Sequence, residues 1–224
     1  CCRRVLRVRP DDAINHYNLA SVLKDQWRLD EAERLYRKAI EINPEFIQAR
    51  INLGVVCQRQ GRLREAVAEL ERAVRLDAND AEARFHLSLA LLHAGDFERG
   101  WDEYECRFQY EASARDFGVP PWDGTRLADR RLLIYAEQGV GDEIMFASCL
   151  PEVIGQTASC VVECDPRLVP LFARSLPLAD GVPRPFAAEE LHGAGRCDTQ
   201  AALGTLPRFL RRRLDSFPRQ RRYL

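Results

Sequence analysis

A 34-residue self-similarity in the first half of the chain constrains its fold more than any other feature. Leu19-Ala20, Ala32, Tyr36, Ala39 and Pro44 recur one period later as Leu53-Gly54, Ala66, Leu70, Ala73 and Ala78. A third unit follows at the same offset with Leu87-Ser88, Gly95, Gly100 and Tyr104, and Pro10 lies one period before Pro44. Self-similarity at such a period marks a stacked array of one supersecondary unit.

Each unit reads as a helix pair. His16, Leu19, Ala20 and Leu23 fall at i, i+3, i+4 and i+7, one stripe of a first helix. Ala32, Leu35, Tyr36, Ala39 and Ile40 do the same for a second helix. Small residues at 20, 32 and 39 let the helices approach, and Asn43-Pro44 stops the second one, because proline cannot continue the hydrogen-bond ladder. One hairpin cannot bury its own apolar face, so stacking is obligatory and a curved solenoid with a concave side is expected.

The spacing of large, small, Ala, aromatic or Leu, Ala and helix stop resembles the tetratricopeptide repeat. The expected array covers residues 1–112: a partial repeat 1–12, then repeats 13–46, 47–80 and 81–112, with turns near 28, 45, 62, 79 and 95. The chain is therefore expected to be a fragment that opens inside a repeat. In the third unit Gly100 and Arg107 stand where Ala is expected, so a helix over 97–112 is expected to cap the array against another domain.

Asn18 and Asn52 are equivalent, and Tyr17, Ile51 and Phe85 form a second equivalent row, which makes these five the candidate peptide-binding residues of the concave face. Asn amides at repeat spacing can bond an extended peptide backbone on both edges, as the superhelix of the O-GlcNAc transferases that this array resembles implies. The other reading is that Asn is common at this position, and His86 interrupts the ladder in the third unit.

Periodicity stops in a linker over 113–127, where Gly118-Val119-Pro120-Pro121-Trp122-Asp123-Gly124 is turn chemistry. Over 128–224 the grammar is α/β. Arg131 to Ala136 reads as a buried strand, Glu137-Gln138-Gly139-Val140-Gly141-Asp142 as a loop, and Ile144, Phe146, Ala147 and Leu150 as a helix face. Ser159 to Cys164 is the next strand and Pro166 to Leu176 the next helix; shorter strands are expected at 181–186 and 197–202, and a helix over Leu203 to Arg213.

Gly100-Trp101, Tyr104-Glu105, Arg107, Trp122-Asp123-Gly124, Ala136 to Asp142, Leu203-Gly204-Thr205-Leu206-Pro207 and Tyr223-Leu224 together resemble bacterial tetratricopeptide proteins fused to a GT-B glycosyltransferase-like domain. That domain is similar to ADP-heptose:lipopolysaccharide heptosyltransferases and, more distantly, to O-GlcNAc transferases. The resemblance implies an α-solenoid followed by a Rossmann-like half-domain on the acceptor side, with hexosyl or heptosyl transfer in a longer parent. It also implies a nucleotide-sugar donor held by a C-terminal half missing from this chain, and hence no cofactor in the chain itself. A non-catalytic protein-protein interaction scaffold is the alternative.

Gly139 and Gly141 permit positive φ and close backbone approach, and the helix that follows offers free N–H groups. Asp142, at or next to the N-cap, is either a helix cap or, carried over from the family's G-D motif, the general base that deprotonates the acceptor hydroxyl. Glu137 and Gln138 end the strand where open α/β sheets place ligands, while Glu143 reads as solvated surface at a helix start.

Net charge is -1, yet Arg208, Arg211, Arg212, Arg213, Arg219, Arg221 and Arg222 face only Asp215 near the end. Such a run fits nucleic acid, anionic lipid or a solvated helix face, and the scarcity of interleaved aromatics argues against nucleic acid. Eight cysteines at 1, 2, 57, 106, 149, 160, 164 and 197 form no C-x-x-C pair and no zinc spacing, so no metal site is expected. They read as small buried hydrophobes in a reducing, cytoplasmic compartment. No apolar run approaches the roughly 18 residues of a membrane span.

Overall fold

The computed structural model describes residues 11–110, 114–176 and 197–218. The chain divides into two compact units, Cys1–Glu111 and Ala112–Leu224. The first described unit is helical throughout: α1 (Ala13–Asp25), α2 (Leu29–Ile42), α3 (Ile47–Arg59), α4 (Leu63–Leu76), α5 (Ala81–Ala94), α6 (Phe97–Tyr104) and α7 (Arg107–Tyr110).

The helices pair as α1/α2, α3/α4 and α5/α6, and successive pairs stack through α2/α3 and α4/α5. First helices also touch one another across repeats, α1 with α3 and α3 with α5, while second helices make no comparable contact. The stack therefore curves with its first helices inside. Its core is the repeated small positions, Ala20, Ala32, Ala39, Ala49, Ala66, Ala73, Ala83 and Ala90, all fully buried, interleaved with Leu23, Tyr36, Ile51, Leu53, Leu70 and Leu91. Gly54 belongs to the same set, since a Cβ built there would lie 2.6 Å from Leu70 Cγ.

The helix ends are chemically explicit. Asp12 Oδ1 accepts from the N–H of Ile14 at 3.0 Å, and Asp80 Oδ1 from that of Ala83 at 2.9 Å, each satisfying donors that a first turn leaves open. The three turns inside the pairs share one geometry. The N–H groups of Arg28, Arg62 and Asp96 reach back to the carbonyls of Leu23, Cys57 and Leu91 at 2.9, 2.9 and 3.0 Å. This closure needs a left-handed residue just before it. Gly61 (φ 75°) and Gly95 (φ 84°) supply it in two turns, and Trp27 (φ 60°) in the first.

The expected single helix over 97–112 is broken. α6 ends at Tyr104 and α7 restarts at Arg107, which stands one period after Ala73 and two after Ala39 and is fully buried like them. Its guanidinium lies 4.8 Å from the Tyr104 ring centroid and 4.1 Å from that of Phe108, and donates to Glu105 Oε1 at 2.7 Å. Such a group does not fit where a methyl group is expected without displacing the helix.

The second unit holds β1 (Leu127–Tyr135), α8 (Val140–Phe146), a 3-10 turn at Ala147–Cys149, α9 (Leu150–Ile154), β2 (Thr157–Val162), α10 (Val169–Ser175), β3 (Thr199–Ala202), a 3-10 turn at Leu203–Thr205 and α11 (Leu206–Leu210). The sheet order is β2-β1-β3, parallel throughout, with Leu132 aligned to Cys160 on one side and Thr199 on the other. Leu132, Leu133, Ile134, Val161, Val162, Ala201 and Ala202 are buried, as a parallel sheet covered on its faces requires. The helix expected over Leu203 to Arg213 is shorter, opening as a 3-10 turn and stopping at Leu210, where Arg211 leaves helical geometry (φ -128°). The strand expected at 181–186 lies outside the described residues.

Ahead of β1, Trp122 donates its backbone N–H to Gln200 O at 2.7 Å and its indole N–H to Thr125 O at 2.8 Å. Its ring packs 5.0 Å from Phe209. Cys57, Cys106, Cys149, Cys160 and Cys164 are buried free thiols, and burial pushes Cys160 and Cys164 up to about 12, far from nucleophilic use at neutral pH.

Candidate functional site

Two places bring together the residues singled out in the sequence, one in each unit. The first is the inner face formed by α1, α3 and α5. Tyr17 is half-buried against Phe46 and Tyr36, with ring centroids 5.0 and 5.9 Å away. Its hydroxyl accepts from Asn52 Nδ2 at 3.2 Å, and the same amide nitrogen donates to Gln48 O at 3.0 Å. Lys24 Nζ donates to Asn52 Oδ1 at 2.5 Å. Asn52 is thus fixed by neighbours on two helices, whereas its equivalent Asn18 is exposed and its side chain makes no hydrogen bond among the described residues.

Ile51 does not belong to this face. It is 1 % exposed and sits in the repeat core, because packing by the flanking repeats covers in the middle unit a position that stays half-open at Tyr17 and Phe85. Phe85 stacks on Tyr110 at 4.8 Å, with an interplanar angle of 22°. His86, which replaces the third Asn, lies 6.0 Å from Phe85; burial lowers its pKa, and the charge of Lys24 lowers it further. Burial is also the main cause that lowers the pKa of Lys24, with Asp25 acting against it and Arg59 with it. The Tyr36 hydroxyl, pushed up to about 12 by burial, exchanges a hydrogen bond with Ser21 Oγ at 3.0 Å.

At the end of the same helices stands a feature the motif reading passed over. Trp27 is 70 % exposed, and Arg59 Cζ lies 5.1 Å from its ring centroid. A left-handed backbone costs a residue with a Cβ roughly 1–2 kcal/mol. Gly61 and Gly95 avoid that cost in the sister turns, so the exchange was visible in the 34-residue register.

The second place is the carboxyl end of β1. In the parallel sheet ordered β2-β1-β3, β1 is the central strand, and open α/β sheets place ligands beyond the carboxyl ends of their strands. Glu137, Gln138, Gly139, Gly141 and Asp142 all lie in the loop and first helical turn there. Glu137 and Gln138 are half-buried, and Glu137 Oε1 accepts from Gly204 N–H at 3.1 Å, tying the loop after β1 to the turn after β3.

The geometry corrects three expectations at this loop. Neither Gly139 nor Gly141 has positive φ; Gly139 is extended (φ -73°, ψ 162°) and is itself the N-cap of α8. Asp142 is the third residue of α8, bonded through its N–H to Gly139 O at 2.9 Å, and its carboxylate makes no capping hydrogen bond. Glu143 is not solvated surface. It is 4 % exposed and accepts from Asp165 N–H at 2.8 Å, and burial raises its carboxyl pKa. Nothing lies within 4 Å of a Cβ built on Gly141, so the fold itself does not demand glycine there. No group of three or more His, Cys, Asp or Glu among the described residues is placed to hold a metal ion, and no described helix is long and apolar enough to cross a membrane.

A tetratricopeptide-repeat family model matches residues 23–84. Protein FlbA of Caulobacter vibrioides is 35% identical over 149 residues, covering 60% of this chain and 25% of FlbA, so the chain spans a quarter of that relative's length. Among solved structures, MamA is similar with a TM-score of 0.47 and 20% identity, covering 50% of this chain and 66% of MamA. The first tetratricopeptide domain of Spaghetti (RPAP3), solved with an HSP90 peptide, is similar with a TM-score of 0.44 and 19% identity, covering 46% of this chain and 82% of that one. The family model thus identifies the repeats over residues 23–84 as tetratricopeptide repeats.

Proposed function

We propose that the chain is a protein-protein interaction module whose repeats hold a polypeptide segment along the face of α1, α3 and α5. The observation that carries this reading is the row of open positions along that face, the exposed Asn18 and the half-open Phe85, set on either side of the held amide of Asn52. Tyr17, Gln48 and Lys24 fix it in place, with the exposed Asn18 one period before it and the aromatic face of Phe85 one period after Ile51. Polar groups already oriented on a rigid helix face lose little freedom on binding, which is the main economy available to a peptide site.

An array of defined synthetic peptides, probed with the purified chain, tests it. Asn18→Ala and Phe85→Ala are expected to weaken captured peptides about tenfold each, the loss of one well-placed contact. Asn18→Ala, at an exposed position, leaves stability unchanged. Peptide capture that is absent, or indifferent to these changes, refutes the reading.

A second reading is favoured by the sheet order. The unit that follows the repeats is a partial α/β domain whose Gly-rich loop stands at the carboxyl end of β1, as in the Rossmann-like acceptor half of a GT-B glycosyltransferase. On this reading a longer parent protein transfers a sugar from a nucleotide donor held by a second half, Glu137, Gln138, Gly139 and Gly141 line the acceptor cleft, and Asp142 is the general base. The isolated chain transfers no sugar. In the parent, Asp142→Asn is expected to lower transfer by ~10²-fold or more while leaving stability within about 0.5 kcal/mol. A variant that keeps its rate removes Asp142 from catalysis, and nucleotide-sugar turnover by residues 1–224 alone overturns the assignment of the donor site to a second half.

A further inference from the structure

We propose that Lys24, Arg59 and the open face of Trp27 form a subsite for an acidic polypeptide segment, a carboxylate meeting the two cations while the neighbouring side chain packs on the indole. The proposal rests on the peptide-binding reading above and names the chemistry of its partner.

Charge pairing within the repeats is the first support. Four Lys or Arg residues lie on the first helices: Lys24 on α1, Arg50 and Arg59 on α3 and Arg84 on α5. Arg50 and Arg84 pair with Glu69 and Glu103 on second helices at 3.1 and 2.8 Å. Lys24 and Arg59 pair with no carboxylate among the described residues. Asp25 and Glu82 lie near enough for Lys24 to feel their charge, but neither forms an ion pair with it or with Arg59. A half-buried ammonium whose hydrogen bond goes to a neutral amide oxygen retains its need for a negative partner.

Geometry supplies the second. Asn52 and Arg59 are seven residues apart and share a face of α3, and Lys24 and Trp27 are three apart at the end of α1. Two links therefore run side by side between the helices, Lys24 to Asn52 and Trp27 to Arg59. Arg59 covers one face of the indole and keeps its own donor edges available.

Backbone strain is the third. Trp27 adopts the conformation its sister turns leave to Gly61 and Gly95, and at 70 % exposure it recovers little by burial. Strained backbone conformations cluster at ligand clamps, and Trp is enriched among the residues that dominate binding.

The test uses the full chain and two labelled synthetic peptides of equal length and identical apolar residues, one carrying glutamates and the other glutamines at the same places. Binding is read by fluorescence anisotropy at low and moderate salt. Trp27 emission gives a second signal, since Trp101 and Trp122 are buried. The glutamate peptide is expected to bind about tenfold or more tightly than the glutamine peptide, with affinity falling as salt rises. Lys24→Gln, Arg59→Gln and Trp27→Gly should each weaken the glutamate peptide about tenfold, with Trp27→Gly melting at the same temperature as wild type or higher. Equal binding of both peptides, or variants without effect, overturns the subsite. In that case sensitivity of both peptides to Phe85→Ala leaves the groove standing, whereas binding of neither peptide, together with an empty peptide array, removes the groove as well.

Discussion

The buried carboxylate of Glu143 in the first turn of α8 accepts a hydrogen bond from the backbone N–H of Asp165 at 2.8 Å, tying that turn to the segment after β2. Burial is the leading cause that raises its pKa; the hydrogen bond from the Asp165 N–H acts against it, and the charges of Asp165 and Glu163 act with it. The folded state therefore holds the proton more tightly than the unfolded chain. The stability it contributes is fully present below the ordinary carboxylate range and is lost as pH rises through the raised value. Glu143→Gln keeps an acceptor for Asp165 and cannot ionise. Unfolding followed through Trp122 should show that wild type weakens across this window relative to the variant, and parallel pH profiles would count against the account.

Arg107 is expected to be the costliest truncation in the repeats. Arg107→Ala removes the contacts with Tyr104 and Phe108 and strips Glu105 of its partner, at about 3–5 kcal/mol. Arg107→Met, which fills most of the volume without a charge, should lose far less. Urea unfolding followed through Trp101 measures both, and similar losses for the two would show that charge rather than packing holds the turn.

Gly54→Ala places a Cβ 2.6 Å from Leu70 Cγ and should cost about 1–3 kcal/mol, although Ala20 fills the equivalent place in the first repeat. Leu70→Ala in the same chain relieves the clash, so the double variant should be less destabilised than the sum of the singles. Strict additivity in denaturant melts would argue that α3 has simply shifted.

Gly141→Ala should leave the α/β unit as stable or stabilise it by up to about 1 kcal/mol, since a helical alanine replaces a glycine with open space around it. If the loop closes on a sugar acceptor in the parent protein, the same change lowers transfer. A loss of stability would mean that the backbone there requires glycine.

Much of the first unit was legible because its packing is local and repeated. Ala20, Ala32, Ala39, Ala66 and Ala73 are small for one geometric reason, and that reason recurs with the period. What escaped depended on partners distant in sequence. The separate fate of Ile51, buried between Tyr17 and Phe85 in the same register, follows from neighbours on both sides of the middle unit. Glu143 carries the signature of a solvated acid at a helix start, and its burial comes from a backbone N–H 22 residues away. The break after Tyr104 was foreshadowed by Arg107, whose size alone contradicts its place in the repeat. At the β1 loop the strand-to-helix turn was legible, but its geometry was not, because Gly139 caps the helix through extended backbone that any residue can adopt.

The guanidinium at Arg107 also bears on how a chain of this kind changes length over generations. A duplicated stretch of one period inserted between Phe46 and Ile47 would meet small residues on both sides and could join the stack unnoticed. The same stretch appended after Tyr110 would have to dock where an arginine and two aromatic rings already fill the space. An added unit is thus easier to accommodate between the repeats than after Arg107, whose bulk stands where its sisters offer only a methyl group.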